Sequence, residues 1–145
     1  MIFDLSGTLI HHGFSDELFE GVPELLHELK QGGLNLHVWT SLDDRGLPAF
    51  LKHYGIDLYF TTMSGATQQG RKPLAQNLKF KPGPKTQMIM IGDSTVDMQA
   101  AKNIGAVAGA ALYNHQASRD SLAASGAEVF FWNLSDIQSF LLSKE

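Results

Sequence analysis

The chain has 145 residues, 43% of them apolar, with 11 basic and 15 acidic side chains, six histidines and a net charge of −4. That length suits one domain with a buried core, and interspersed charge without a Lys/Arg cluster leaves no electrostatic footprint for nucleic acid or an anionic membrane surface. The lack of cysteine removes disulfide and thiolate chemistry, and with neither a signal peptide nor an apolar run of bilayer length the chain reads as cytoplasmic.

In the opening run Ile2-Phe3-Asp4-Leu5-Ser6-Gly7-Thr8-Leu9 a short apolar strand delivers Asp4 to its carboxyl end before Gly7 turns the backbone. Val22, Leu25, Leu26 and Leu29 then recur at helical spacing, with Pro23 in the first turn and Gly32-Gly33 as the stop. A second strand is predicted over 34–40, a second helix over 47–54 ended by Gly55, and a third strand over 56–61. After a Ser/Gly/Thr/Gln loop, Pro73 opens a short helix to about Lys79, and the turn Lys81-Pro82-Gly83-Pro84 leads into Met88-Ile89-Met90-Ile91. This run is apolar on both faces and so reads as a central strand. Ser94 or Thr95 caps a helix that Gly105 stops, and a fifth strand covers 106–112. A helix over 118–125, a short edge strand over 128–132 and a closing helix over 137–142 complete the chain. Alternating strands and helices of this kind predict an α/β domain, a parallel sheet with helices on both faces, spanning 1–145 without linkers or repeats.

In an open parallel sheet, ligands bind outside the carboxyl ends of the strands. Asp4 ends the first strand, Thr40-Ser41 the second and Gly92-Asp93 the fourth, while Asp97 falls in the first turn of the following helix, where backbone N–H groups favour anions. Carboxylates gathered on one rim repel unless a hard cation sits among them, and an all-oxygen site suits Mg2+. Asp4, Asp93 and Asp97 against Mg2+ and the Lys72 ammonium sum to zero, which leaves the site able to accept a phosphate dianion.

Together these residues resemble the haloacid dehalogenase-like hydrolases over essentially the whole chain. Phe3-Asp4-Leu5-Ser6-Gly7-Thr8-Leu9, Val38-Trp39-Thr40, Arg71-Lys72-Pro73 and Ile91-Gly92-Asp93-Ser94-Thr95-Val96-Asp97 look like the four family motifs in their expected order. The resemblance implies a three-layer Rossmann-like sheet of order 5-4-1-2-3 and a Mg2+-dependent phosphohydrolase working through an aspartyl-phosphate on Asp4. By the same resemblance Asp4, the Ser6 carbonyl and Asp93 hold Mg2+, Asp97 supports Mg2+ or Lys72, Thr40 and Ser41 bind phosphate, and Lys72 balances charge. Cap domains of the family enter after the first or third strand, and the segments 10–22 and 62–70 are too short for one. A phosphorylated substrate, and a second subunit or a large substrate over an open site, are the partners this implies.

The departure from the pattern is Ser6, where phosphatases of the family carry a second Asp as general acid and base. A hydroxyl neither protonates an alkoxide nor activates water well, so catalysis weakens, and an impaired metal- and phosphate-binding module is the alternative reading. Phosphonate cleavage or phosphoryl transfer by the same nucleophile is a third. Elsewhere His11-His12 read as a solvated loop, His37 and Trp39 as packing under a helix, Ser64-Gly65 and Gly70 as loop punctuation, and Thr40-Ser41 also as a helix cap.

Overall fold

A computed structural model describes residues 1–11, 17–68, 71–81 and 88–142. His12, Gly70 and the Pro82-Gly83-Pro84 turn lie outside them.

Among the described residues six parallel strands form one sheet: β1 Ile2–Phe3, β2 His37–Asp43, β3 Thr62–Ala66, β4 Ile89–Gly92, β5 Val107–Ala111 and β6 Val129–Phe131. Their order is β3-β2-β1-β4-β5-β6. Read from the opposite edge this is the expected 5-4-1-2-3 with β6 added beside β5, and all pairings are parallel. The strand order reverses between β1 and β4, so the ends of those two strands flank the crevice where such sheets bind ligands. The Asp4 N–H, donating to the Ile91 carbonyl at 3.0 Å, carries the β1–β4 ladder to the rim itself.

Among the described residues five helices cover the sheet: α1 Val22–Gln31, α2 Leu47–His53, α3 Thr95–Asn103, α4 Arg119–Ala124 and α5 Leu134–Leu142. Alternation along the strands sends successive side chains to opposite layers. Phe3, Val38 and Ile91 thus pack with Leu25, Leu26, Leu29, Leu47, Leu51 and Ile137 of α1, α2 and α5. Ile2, Trp39 and Met90 face the other way, onto Met98, Ala101 and Leu122 of α3 and α4. Both layers are apolar and closed, which is why the central strands read as continuous hydrophobic runs.

Three expectations are corrected. The apolar run after Gly55 is not a strand: Asp57–Tyr59 form a 3-10 turn that buries Ile56 and Phe60 and leaves Leu58 at 85% exposure. Pairing with β2 begins instead at Thr62, in register with His37, so Ser64-Gly65 are strand residues rather than a loop. Gly65 is required there, because a Cβ would lie 2.6 Å from the Leu42 carbonyl. Second, the helix opened by Pro73 shrinks to the 3-10 turn Ala75–Asn77; Trp39 lies in the layer closed by α3 and α4, as expected, and its indole also reaches the Pro73 carbonyl, whereas His37 packs against Phe80 of this extended segment. His37 stacks on Phe80 at 4.4 Å, and its Nδ1 lies 2.8 Å from the Thr62 hydroxyl.

Third, Thr40 and Ser41 cap no helix. β2 runs past them to Asp43 with a register shift against β3, the irregularity that commonly re-aims side chains at a sheet rim. The N-cap of α2 is Gly46. Among the described residues no further domain stands over the carboxyl rim, and no helix is long and apolar enough to cross a membrane.

Candidate active site

Asp4, Ser6, Ser41, Lys72, Asp93 and Asp97 line one cleft of about 530 Å³, together with Arg71, Ser94 and Val96. Four segments distant in sequence converge here because each ends a strand on the same rim or crosses it.

Lys72 is the hub. Its Nζ donates to Asp4 Oδ1 at 2.7 Å and to the Trp39 carbonyl at 2.8 Å, and it pairs with Asp97 Oδ1 at 3.1 Å. The ammonium and the Asp4 carboxylate are each 11% exposed and Asp97 is wholly buried. Burial raises the Asp4 pKa to about 7; the Lys72 charge opposes the shift, while Asp97 and Asp93 add to it. For Lys72, burial alone would lower the pKa, but Asp4 and Asp97 outweigh it and hold the ammonium above its ordinary value. The lysine therefore stays charged, and the site keeps its positive centre.

Trp39 fixes this hub from below. Its indole Nε1–H donates to the Pro73 carbonyl at 2.9 Å while its own carbonyl accepts from Lys72, so one buried residue holds both the backbone and the side chain of the Lys72-Pro73 step. The packing role read from the sequence for Trp39 did not include this clamp.

Asp97 acts through others. Its Oδ2 accepts from the Asp93 N–H, the Ser94 N–H and the Ser94 hydroxyl, at 3.1, 3.1 and 2.9 Å. Ser94 accepts in return from the Asp97 N–H, which makes a complete capping box at the start of α3. With Oδ2 used in the cap and Oδ1 paired to Lys72, the Asp97 carboxylate is spent on positioning Lys72 and the Asp93 backbone. This arrangement depends on Gly92, where a Cβ would sit 2.3 Å from the Asp97 Cβ, Cγ and Oδ2.

Asp93 is steered by Asn114, which the sequence reading missed. Asn114 lies just past β5, is 6% exposed, and donates through Nδ2 to Asp93 Oδ2 at 3.1 Å and to the Gly7 carbonyl at 3.0 Å. Its Oδ1 accepts from the Gln116 N–H at 3.0 Å. The signal was present, since the carboxyl end of the fifth strand belongs to the same rim as Asp4 and Asp93, but no motif marks it. Tyr113 beside it donates its hydroxyl to the Thr8 carbonyl, so β5 holds the whole Asp4–Thr8 turn. The left-handed Gly7, at φ 82°, completes that turn.

Thr40 and Ser41 part company. Ser41 is exposed and lines the cleft, whereas Thr40 is 1% exposed with its hydroxyl accepting from the Leu42 N–H at 3.2 Å. Ser6 lines the cleft beside Asp4. His11 stacks on Phe19 at 3.9 Å and faces a separate cleft with Tyr113 and Asn114.

Oxygen atoms of Asp4, Asp93 and Asp97 lie within 4.8 Å of one another. This all-oxygen donor set fits a hard dication held by Asp4 and Asp93 better than a thiophilic metal. The raised Asp4 pKa has the same origin, negative charge crowded into a poorly hydrated corner, and a cation there would relieve it.

Residues 10–111 match the model of the haloacid dehalogenase-like hydrolases, a segment that takes in Thr40, Lys72, Asp93 and Asp97 while Asp4 and Ser6 precede it. A phosphoglycolate phosphatase of Vibrio vulnificus (strain CMCP6) is 35% identical over 104 residues, 68% of this chain and 45% of that protein. The chain thus spans about half the length of the curated relatives it matches. Among solved structures, a predicted phosphatase from Clostridium acetobutylicum superposes with a TM-score of 0.74 at 22% identity, covering 88% of this chain and 61% of that one. An uncharacterized protein from Listeria monocytogenes serotype 4b gives 0.70 at 20% identity and covers 99% and 98%. These two likenesses concern the fold.

Proposed function

The chain belongs to the haloacid dehalogenase-like hydrolases, and from that premise we propose that it is a Mg2+-dependent phosphohydrolase in which Asp4 attacks a phosphomonoester. The observation that carries the proposal is the Asp4–Lys72 ion pair at 2.7 Å, locked by Asp97 and the Trp39 carbonyl at the mouth of an open cleft.

With Oδ1 engaged by Lys72, the second oxygen of Asp4 is the one free to attack phosphorus. A P–O bond to Asp4 forms as the ester P–O bond breaks, and the leaving alkoxide takes up a proton. Water then cleaves the aspartyl-phosphate, releasing inorganic phosphate and restoring the carboxylate. Lys72 and the α3 N-terminus offer fixed positive charge to the transferred group, and the exposed Ser41 hydroxyl offers a donor. Bound Mg2+ would add Lewis-acid stabilisation of the phosphoryl charge, held by Asp4, Asp93 and the Ser6 carbonyl that the family resemblance implies. Asp97 serves this site by orienting Lys72.

Ser6 stands where proton transfer to the leaving group is needed, and losing that help costs about 10²- to 10⁴-fold. Aryl phosphates, whose leaving groups need no proton, should therefore outperform alkyl phosphates. Ser6 also supports the second reading, a binding module with little turnover. Phosphate release from a substrate panel, with and without Mg2+, separates them. Turnover should vanish in Asp4→Asn, and Ser6→Asp should raise turnover of alkyl phosphates by about the same 10²- to 10⁴-fold. Unchanged turnover in Ser6→Asp with Mg2+ still bound would favour the binding module.

A further inference from the structure

Arg71 and Lys72, on the wall of the Asp4 cleft, also line a second, smaller pocket. This recess has a volume of about 140 Å³ and presents Thr67, Gln68, Arg71 and Asn77 beside the apolar Pro73 and Leu74. With Arg71 and Lys72 common to both linings, the recess neighbours the place of a phosphate held beside Lys72. Its size is well under the ~300–1,000 Å³ of pockets for drug-sized ligands and suits a group of a few heavy atoms.

The two basic residues on this border are differently committed. Lys72 spends its hydrogen-bonding capacity on Asp4, Asp97 and the Trp39 carbonyl. Arg71 is exposed, and among the described residues no carboxylate pairs with its guanidinium. Its backbone N–H donates to the Gln68 carbonyl at 3.1 Å, which ties the two sides of the recess together. The charges of Asp4, Asp93 and Asp97 are matched by Lys72 and a dication, and Arg71 is a further cation on the same wall, placed between the cleft and the recess. A planar guanidinium with amides and a hydroxyl around it is a set of donors, suited to the oxygens of a carboxylate or phosphate.

Building on the phosphohydrolase reading, we propose that this recess is the leaving-group subsite and that Arg71 selects phosphomonoesters carrying a second anionic group, a carboxylate or a further phosphate. Arg71 is then a specificity-determining residue. Its contribution is the size of a charge-assisted hydrogen bond, about 10- to 100-fold in kcat/KM.

Propyl phosphate, 3-phosphonooxypropanoate and propane-1,3-diyl bisphosphate provide matched leaving groups with no tail charge, a carboxylate and a phosphate. The protein should favour one or both charged esters by about 10- to 100-fold over propyl phosphate, and Arg71→Gln should bring that ratio close to one while Arg71→Lys keeps part of it. Which charged ester is preferred identifies the tail group. A ratio near one in the parent protein, or an undiminished ratio in Arg71→Gln, overturns the proposal. A second measurement needs no turnover: calorimetry of 3-phosphonopropionate against propylphosphonate with Mg2+ present, where tighter binding of the carboxylated compound should depend on Arg71. If no ester is hydrolysed but this difference persists and is lost in Arg71→Gln, the subsite stands and the phosphohydrolase reading fails. If esters are hydrolysed without discrimination, the subsite fails and the phosphohydrolase reading stands, and if neither phosphonate binds and nothing is hydrolysed, both fail.

Discussion

Replacing Lys72 by Met removes the ammonium at the centre of the site while keeping a side chain of similar length, so the cavity contribution is small. What remains is the fully buried Asp97 carboxylate and the Asp4 carboxylate, 11% exposed, with no counter-charge between them. Truncating one partner of a buried ion pair typically costs about 3–5 kcal/mol, because the other charge stays desolvated. Against a typical total of about 5–15 kcal/mol this would leave the metal-free domain marginal near neutral pH. The sign of the pH dependence follows from the same charges. Unfolded aspartates titrate near 3.9, whereas burial already raises the Asp4 pKa in the folded state and losing the opposing Lys72 charge raises it further in the variant. A raised folded pKa gives stability that is present below the unfolded pKa and lost as pH rises through the folded one. The deficit of Lys72→Met relative to the parent should therefore be small near pH 4 and grow toward pH 8. Urea denaturation followed by circular dichroism in EDTA, at several pH values, measures it. Adding Asp97→Asn should restore part of the loss, a coupling of at least about 1 kcal/mol. A deficit below about 1 kcal/mol at pH 8, or one independent of pH, would refute the reasoning.

Gly92→Ala should destabilise by about 2–4 kcal/mol, from overpacking against Asp97 and loss of the capping box, read as a lower urea midpoint; a midpoint equal to the parent's would mean that α3 shifts freely. Asn114→Ala removes the Nδ2 hydrogen bond to Asp93 and should weaken Mg2+ binding by about 10- to 100-fold in calorimetry; unchanged affinity would show that this bond does not set the orientation of Asp93. Burial lowers the His37 pKa to about 4, so the ring stays neutral on Phe80. Stability from this depressed pKa is present above about pH 6.5 and lost as pH falls toward 4, so His37→Phe should flatten the decline in stability between pH 7 and 5, and equal slopes would remove His37 as its source.

Much of the framework was legible along the chain. Ile2-Phe3 and Ile89-Met90-Ile91 are apolar on both faces because helices close both layers, and Leu25, Leu26 and Leu29 repeat at the period of the face that α1 buries. Asp4 and Asp93 were visible because a carboxylate directly after a buried strand must emerge at the rim, and four motifs in order identified the family. β3 was not legible: Thr62-Met63-Ser64-Gly65-Ala66 has the composition of a loop, and it is a strand because the exposed backbone edge of β2 pairs with it and the Leu42 carbonyl approaches too closely for anything but Gly65. The apolar residues 56–60 drew the prediction away from it, although Ile56 and Phe60 are buried by a 3-10 turn.

Composition and spacing place oxygen atoms on a rim but do not say which of them are already hydrogen-bonded. That Asp97 is committed to Lys72 and the α3 cap, that Thr40 is buried while Ser41 faces the cleft, and that Asn114 reaches Asp93 across 21 residues are results of long-range packing. Local sequence determines strands, helices and the polarity of their ends because those depend on neighbours within a turn or two. The roles of individual side chains in the site depend on contacts between strands far apart in the chain, and these exist only once the sheet has assembled.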